Sequence, residues 1–220
     1  TSQFLDAFGY NFIGWTIGGP IISKLDTATG MRQATIGYII SGELVTEKDD
    51  DPSAIGMYKV KDATLDRLNK YPLRISDLGA GTFKNAEFIT LDSLEPIKFR
   101  QNVRTNQLRL NAKIDFKLSK NLGLSLGGSV DYNNRHTFIY EYALFNPSNN
   151  PQIITNTWRV FGKLTQKFGT DETKDDKSTS NIKNAFYTLQ LNYTNYQRTE
   201  QDDDHRDNIF NYGYIGEIKT

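Results

Sequence analysis

Apolar and polar residues alternate with a period of two along several long stretches of this chain. The clearest is 107–118. There Leu108, Leu110, Ala112, Ile114, Phe116 and Leu118 fall on one face, and Gln107, Arg109, Asn111, Lys113, Asp115 and Lys117 on the other. A helix would mix these sets, whereas a strand separates them. The next stretch repeats the pattern, with Leu122, Leu124, Leu126, Val130 and Tyr132 opposite Ser125, Ser129, Asp131 and Asn133. Only Ser119, Lys120 and Asn121 lie between, so the two strands are expected to pair antiparallel through a short turn.

A third strand is expected over 157–168, where Trp158, Val160, Leu164 and Phe168 alternate with Arg159, Lys163, Thr165 and Lys167. A fourth runs over 182–196, with Ala185, Tyr187, Leu189, Leu191 and Tyr193 opposite Thr188, Gln190, Asn192 and Thr194. Nearer the start, Ile36, Tyr38, Ile40 and Leu44 alternate with Thr35, Ser41 and Glu43, and Ile13, Trp15 and Ile17 with Gly14 and Thr16. A weaker pattern over 210–218 predicts one more strand. The total is about seven strands, many longer than the roughly 5–6 residues usual in globular proteins and near the about 9–11 that cross a bilayer.

The connections differ in length. The segments 47–101, 134–156 and 198–208 are long or intermediate, and 119–121 is short. In an outer-membrane barrel the short turns are periplasmic and the long loops extracellular, so those three segments are assigned to the outside. The segments 18–33 and 169–181 are read as moderate turns at the other end. Within 47–101, Leu65 and Leu68 lie in a charged stretch over 60–71 that predicts a short helix stopped before Pro72. A second short element is expected over 86–98 around Leu91, Leu94 and Ile97.

Composition sharpens this picture. Hydrophobic residues are 37% of the chain and aromatics 12%. That is too many rings for a disordered chain. No apolar run reaches the about 20 residues of a membrane helix. A barrel reconciles the two, because only every second strand residue meets lipid. The 26 basic and 26 acidic residues cancel, which argues against a nucleic-acid partner. There is no cysteine, hence no disulfide, thiol nucleophile or thiolate metal site. The chain starts at Thr1 with no signal peptide, so it is read as a processed protein or an excerpt.

Candidate chemistry is sparse. Arg109, Lys113, Asp115, Arg159, Lys163 and Lys167 are expected to face the lumen, in contact with a plug or a passing solute. Trp15, Phe116, Tyr132, Trp158, Phe168 and Tyr193 sit on apolar faces, most toward expected strand ends, as membrane-interface aromatics would. Acidic runs hold Glu47, Asp49, Asp50 and Asp51, and then Asp202, Asp203, Asp204 and Asp207 with His205. Asp49, Asp50, Asp51, Asp202, Asp203 and Asp204 are weak calcium candidates without EF-hand spacing, and the ordinary reading is a solvated loop tip. His136 and His205 both fall in expected loops. No catalytic motif, phosphate-binding loop or cofactor signature appears, so no enzyme and no cofactor is expected.

Several runs carry a family resemblance. Gly14-Trp15-Thr16-Ile17-Gly18-Gly19-Pro20-Ile21 resembles the early barrel segment of Bacteroidota TonB-dependent receptors, including a Gly-Gly-Pro-Ile turn. Asp51-Pro52-Ser53-Ala54-Ile55-Gly56, Gly127-Gly128-Ser129-Val130-Asp131-Tyr132-Asn133-Asn134, Asn156-Thr157-Trp158-Arg159-Val160-Phe161 and Asn208-Ile209-Phe210-Asn211-Tyr212-Gly213-Tyr214-Ile215-Gly216 resemble its Oar-like branch. The resemblance implies an all-β antiparallel transmembrane barrel of about 22 strands, filled by a plug and coupled to TonB. All of 1–220 would then be part of one barrel domain, with 47–101 as its long extracellular loop. Function would be energised uptake of a solute across the bacterial outer membrane. Neither plug nor TonB box is recognisable in this sequence, so no residue is carried over for either.

Two other functions stay open. A receptor-like barrel could serve in an envelope assembly or secretion complex, with a lipoprotein or other envelope component as partner. A soluble surface β-sandwich could act as a binding module. About seven strands are too few to close a bacterial barrel, which uses even numbers from eight, so the chain is expected to be part of a larger sheet.

Overall fold

A computed structural model describes residues 8–25, 27, 30–76, 79–168 and 185–213. The elements in chain order are β1 (Asn11–Leu25), β2 (Arg32–Glu47), β3 (Met57–Val60), α1 (Asp62–Lys70), β4 (Leu73–Ile75), β5 (Thr82–Lys84), β6 (Leu94–Ile97), β7 (Thr105–Lys117), β8 (Leu122–His136), β9 (Gln152–Lys167) and β10 (Phe186–Gln201). Six of them form one antiparallel sheet in the order β1-β2-β7-β8-β9-β10. These strands run 13 to 16 residues. Among the described residues the sheet is open, with β1 and β10 as its edges. No described helix is long and apolar enough to cross a membrane.

Register carries the sequence alternation across the whole sheet. One row reads Trp15, Gly42, Leu110, Val130, Trp158, Asn195. Two residues along, the same face reads Ile17, Ile40, Ala112, Gly128, Val160, Tyr193. The opposite face places Arg109 beside Glu43 and Asp131, and Asp115 beside Ser125 and, one strand further, Lys163. Because side chains alternate strictly, apolar residues gather on one side and charged residues on the other.

The sheet has no core of its own. Ile13, Ile17, Leu44, Val160, Leu189, Leu191 and Tyr193 are all exposed. The buried apolar residues are Val60, Leu68, Val103 and Ile153. All four belong to one end of the molecule, where segments 48–104 and 137–151 connect the long strands. There β3 pairs with β6, β4 pairs with β5, and α1 follows β3. The helix carries Asp62 in its first turn and Arg67 and Lys70 in its last, each matching the helix dipole. It stops at Tyr71, before Pro72, as the sequence predicts.

Several expectations need correction. The run Gly18-Gly19-Pro20-Ile21 is not a turn but lies inside β1, which continues to Leu25, and β2 starts at Arg32. The proline is accommodated inside β1 by a register shift that follows it between Pro20 and Ile22. The expected turn 18–33 is therefore mostly strand. The third and fourth strands run further toward the loop end than the apolar pattern did, to Gln152 and Gln201. The second likewise extends to His136. The stretch 86–98 splits into 3-10 turns at Asn85–Phe88 and Leu91–Ser93 and the strand β6. The strand expected over 210–218 starts instead as a 3-10 turn, Ile209–Asn211, and 214–218 lies outside the described residues, as does 169–181.

Close approach fixes two glycines. Trp15 lies over its cross-strand partner Gly42, where a Cβ would sit 2.5 Å from the indole. Phe161 covers its partner Gly127 on the charged face, and there a Cβ would also come within 2.8 Å of the Ala112 carbonyl. An aromatic ring over a strand glycine restores the packing the glycine lacks. Gly127→Ala should therefore lower stability by about 1–3 kcal/mol through overpacking. Gly123→Ala, whose nearest neighbour would be the Phe116 carbonyl at 3.9 Å, should shift it by less than about 0.5 kcal/mol. Thermal unfolding of the two variants of the full-length protein checks the contrast.

Candidate functional site

The functional geometry consists of two faces of one sheet and the cap at its loop end. On the apolar face the uninterrupted apolar positions cover 36–44 on β2, 108–116 on β7 and 122–132 on β8. These spans match the roughly 9–11 residues of a membrane-crossing strand. The strands continue beyond them. Past the belt, toward the loop end, the same face carries Asn156, Asn195 and Gln197.

The edge of this belt is staggered. Tyr132, Trp158 and Tyr193 each mark its upper limit on β8, β9 and β10, and each stands one same-face step lower than the last. A flat boundary crosses tilted strands at staggered positions of this kind. Trp158 and Tyr193 stack at 5.2 Å between ring centres. Phe168 packs on Tyr187 at 5.7 Å near the opposite limit, and Phe116 is close to that limit on β7. Trp15 stands one step inside the belt on β1, below Ile13. The six aromatics share one face: Phe116 and Phe168 stand at strand ends, Tyr132, Trp158 and Tyr193 at the belt edge inside longer strands, and Trp15 within the belt.

The charged face is paired through its middle. Arg109 reaches Asp131 at 3.2 Å and Glu43 at 3.4 Å. Gln107 Nε2 donates to the other Asp131 oxygen at 3.2 Å. Lys113 meets Asp115 at 2.8 Å, and the Ser125 hydroxyl donates to Asp115 at 2.5 Å. Arg159 Nε donates to the Thr194 hydroxyl at 3.1 Å. Lys163 and Lys167 sit on the same face at the short-turn end, in a hollow they share with Lys117 and Lys120.

The loop end is built around a buried ion pair. Asp49 is fully buried. Its Oδ1 accepts from Arg100 Nε at 2.8 Å and Nη2 at 2.6 Å, and its Oδ2 from the Arg100 backbone N–H at 2.7 Å. The Asp51 N–H adds a further bond at 3.0 Å. Arg100 also holds Asp50 at 2.6 Å and lies 4.8 Å from the Phe138 ring. Burial pushes the Asp49 carboxyl up, but the side-chain and backbone bonds from Arg100, the Asp51 amide and the Arg100 charge outweigh it. The carboxyl is left below its ordinary value.

Asn150, also buried, ties the two long segments together. Its amide donates to the carbonyls of Gln101 and Asn102 at 3.1 Å each, and its oxygen accepts from the Ile139 N–H at 3.1 Å. Asn102 returns a bond to the Ser148 carbonyl at 3.2 Å.

These contacts correct the calcium reading. Asp49 and Asp50, with Asp51 more loosely at 3.7 Å, are held by Arg100, whose single charge offsets part of the run. In the second run, Asp202 accepts from the N–H groups of Asp204 and His205, which shapes the turn after β10. Asp203 pairs with His136 at 3.0 Å, and His136 ends a strand instead of lying in a loop. Among the described residues no group of three or more His, Cys, Asp or Glu is arranged to hold a metal. Arg100 and Asn150 escaped the sequence reading. Arg100 stands 51 residues from Asp49, and no local spacing links them.

Comparison with known proteins adds no relative: no family model, no curated protein and no solved structure matches the chain.

Breaking this ion pair from one side leaves Arg100 buried with a weaker partner. Asp49→Asn should cost about 3 kcal/mol in the order of the loop end. The pH dependence follows from the depressed carboxyl. An unfolded Asp titrates near about 3.9, so the stabilisation is complete above that value and is lost as pH falls through the lower folded value. Amide exchange of 48–104 in the full-length protein should stay slow at pH 5 and rise only below the ordinary carboxylate range. In Asp49→Asn it should be fast already at neutral pH.

Proposed function

We propose that this chain is part of the barrel of a TonB-dependent outer-membrane receptor, which takes up a solute across that membrane with energy delivered from the inner one. The observation that carries the membrane half of this reading is the uncovered apolar belt across six long strands, backed by a charged face. In water such a belt is an apolar surface far larger than soluble monomers usually expose. Against lipid it is stabilising, and the charged face then looks into a polar interior.

A β-sandwich would need a second sheet over the belt, and none covers it among the described residues. In hydrocarbon the outer edges of β1 and β10 would leave unpaired backbone groups, each costing several kcal/mol. The reading therefore has further strands pairing with both edges to close the barrel.

The transport half rests on the ordered runs that resemble Oar-like receptors. A second role, as a component of an envelope complex, draws on the loop end. That end is folded on its own small core of Val60, Leu68, Val103 and Ile153, so it offers a fixed surface to a partner.

The test compares the two faces in the full-length protein. Leu110 lies mid-belt on β7, and its neighbour Asn111 points to the other side. Leu110→Lys should cost about 2–4 kcal/mol of folding in bilayers, whereas Asn111→Lys should cost little. The native protein should resist carbonate extraction from envelopes. Recovery in soluble form without detergent, or equal cost for the two lysines, would overturn the membrane reading.

A further inference from the structure

The charged face is not neutral along its length. Through its middle, Arg109 and Lys113 have carboxylates within ion-pair distance. At the short-turn end the pairing stops. A hollow of about 530 Å³ is lined there by Lys117, Lys120, Lys163 and Lys167 and by a single acid, Asp115. Asp115 is already bound by Lys113 and Ser125. The ammonium of Lys117 meets only a neutral acceptor, Gln33 Oε1 at 2.7 Å. Those of Lys120, Lys163 and Lys167 have no carboxylate in reach among the described residues.

Register explains why these charges share one space. Lys163 and Lys167 are four residues apart on β9, about 13 Å at strand rise. Lys117 stands in the row of Thr165, two strands away across Gly123, about 10 Å. Gly123 has no side chain to fill the gap, and a Cβ there would touch nothing closer than 3.9 Å. Gly37 opens the neighbouring row in the same way. Lysine stems are flexible, so the ammonium groups can converge over this floor. Thr165, Ser119 and Asn121 line the hollow and supply polar groups.

Four like charges gathered without a free counter-charge among the described residues repel one another, and a ligand that neutralises them relieves that cost. We infer that this hollow is a binding site for a compact polyanion, a small molecule bearing two or more phosphate or carboxylate groups. The volume is that of a ligand site. The spread of the lysines over 10 Å or more, about two strand spacings, favours several anionic groups over one. The site lies on the charged face whether or not the opposite face meets lipid, so it stands apart from the transport reading.

Pyrophosphate and citrate serve as probes for the two anion chemistries. Each is titrated calorimetrically into the full-length protein at low and at physiological ionic strength. Saturable binding is expected for at least one, weakening as salt rises. The stronger of the two identifies the phosphate or carboxylate class. The double variant K163Q/K167Q should weaken binding by at least about tenfold, K163R/K167R should retain most of it, and K70Q, on α1 far from the hollow, should leave it unchanged. All three carry exposed substitutions, and circular dichroism confirms that each remains folded. No saturable binding of either probe, or equal binding by K163Q/K167Q and the native protein, would overturn the site. Neither result bears on extraction from membranes, which tests the other reading.

Discussion

Everything distinctive in this molecule depends on strand register. A slip of one residue in an antiparallel pair moves every side chain of that strand to the other face. Four of the five pairings in the main sheet run without a shift over their whole length, and only β1 against β2 is interrupted, beside Pro20. Arg109 can meet Glu43 and Asp131 only because the three occupy one row on adjacent strands. The same register puts Trp15 over Gly42 and Phe161 over Gly127. The cross-strand contacts are therefore both a result of the register and a penalty against losing it, since a slip would place charges in the apolar belt.

Stability is divided between two places. The sheet holds itself by its hydrogen-bond ladder and cross-strand pairs, with no apolar core on either face. The loop end buries its few apolar residues together with the Asp49–Arg100 ion pair. A buried ion pair gains little over a well-packed apolar pair, yet removing one partner is expensive. Its use here is geometric. Asp49 follows β2 and Arg100 precedes β7, so their bonds close the long excursion between two neighbouring strands. Asn150 repeats the device between the two long segments. The loops are thus fixed relative to the strands.

The sheet was legible in the sequence because each strand states its own period. The 107–118 alternation needs no partner to be recognised, and the helix before Pro72 is signalled locally in the same way. What failed was information held elsewhere in the chain. Gly18-Gly19-Pro20 has turn chemistry, but pairing with β2 overrides it and a shifted register absorbs the proline. The ends of β8, β9 and β10 show no alternation because Asn134, Gln152 and Gln201 put polar groups on the belt face, and only the backbone ladder extends the strand through them. The acidic run at 49–51 looked solvated because its counter-charge, Arg100, is 51 residues away. Aromatic positions were read correctly to one face, but their heights emerged only once the rows were aligned.

Charge along the strands then acquires a direction. At the loop end Glu200 is paired with Arg198, and Asp50 and Asp51 are partly offset by Arg100. The middle of the charged face is neutral by pairing. The short-turn end holds the lysines of the hollow, which meet no free carboxylate among the described residues. A basic hollow beside paired charges focuses a field at the short-turn end, and a low-dielectric wall on one side strengthens it. Such a field raises the local concentration of anions at the lysines. The paired charges in the middle offer no deep well on the way, because Glu43, Asp131 and Asp115 already occupy Arg109 and Lys113. If the apolar belt meets lipid, that wall is the membrane itself, and the three zones lie at three depths across it. The strands that position the lipid belt on one side would then, by the same register, set the order in which a solute meets charge on the other.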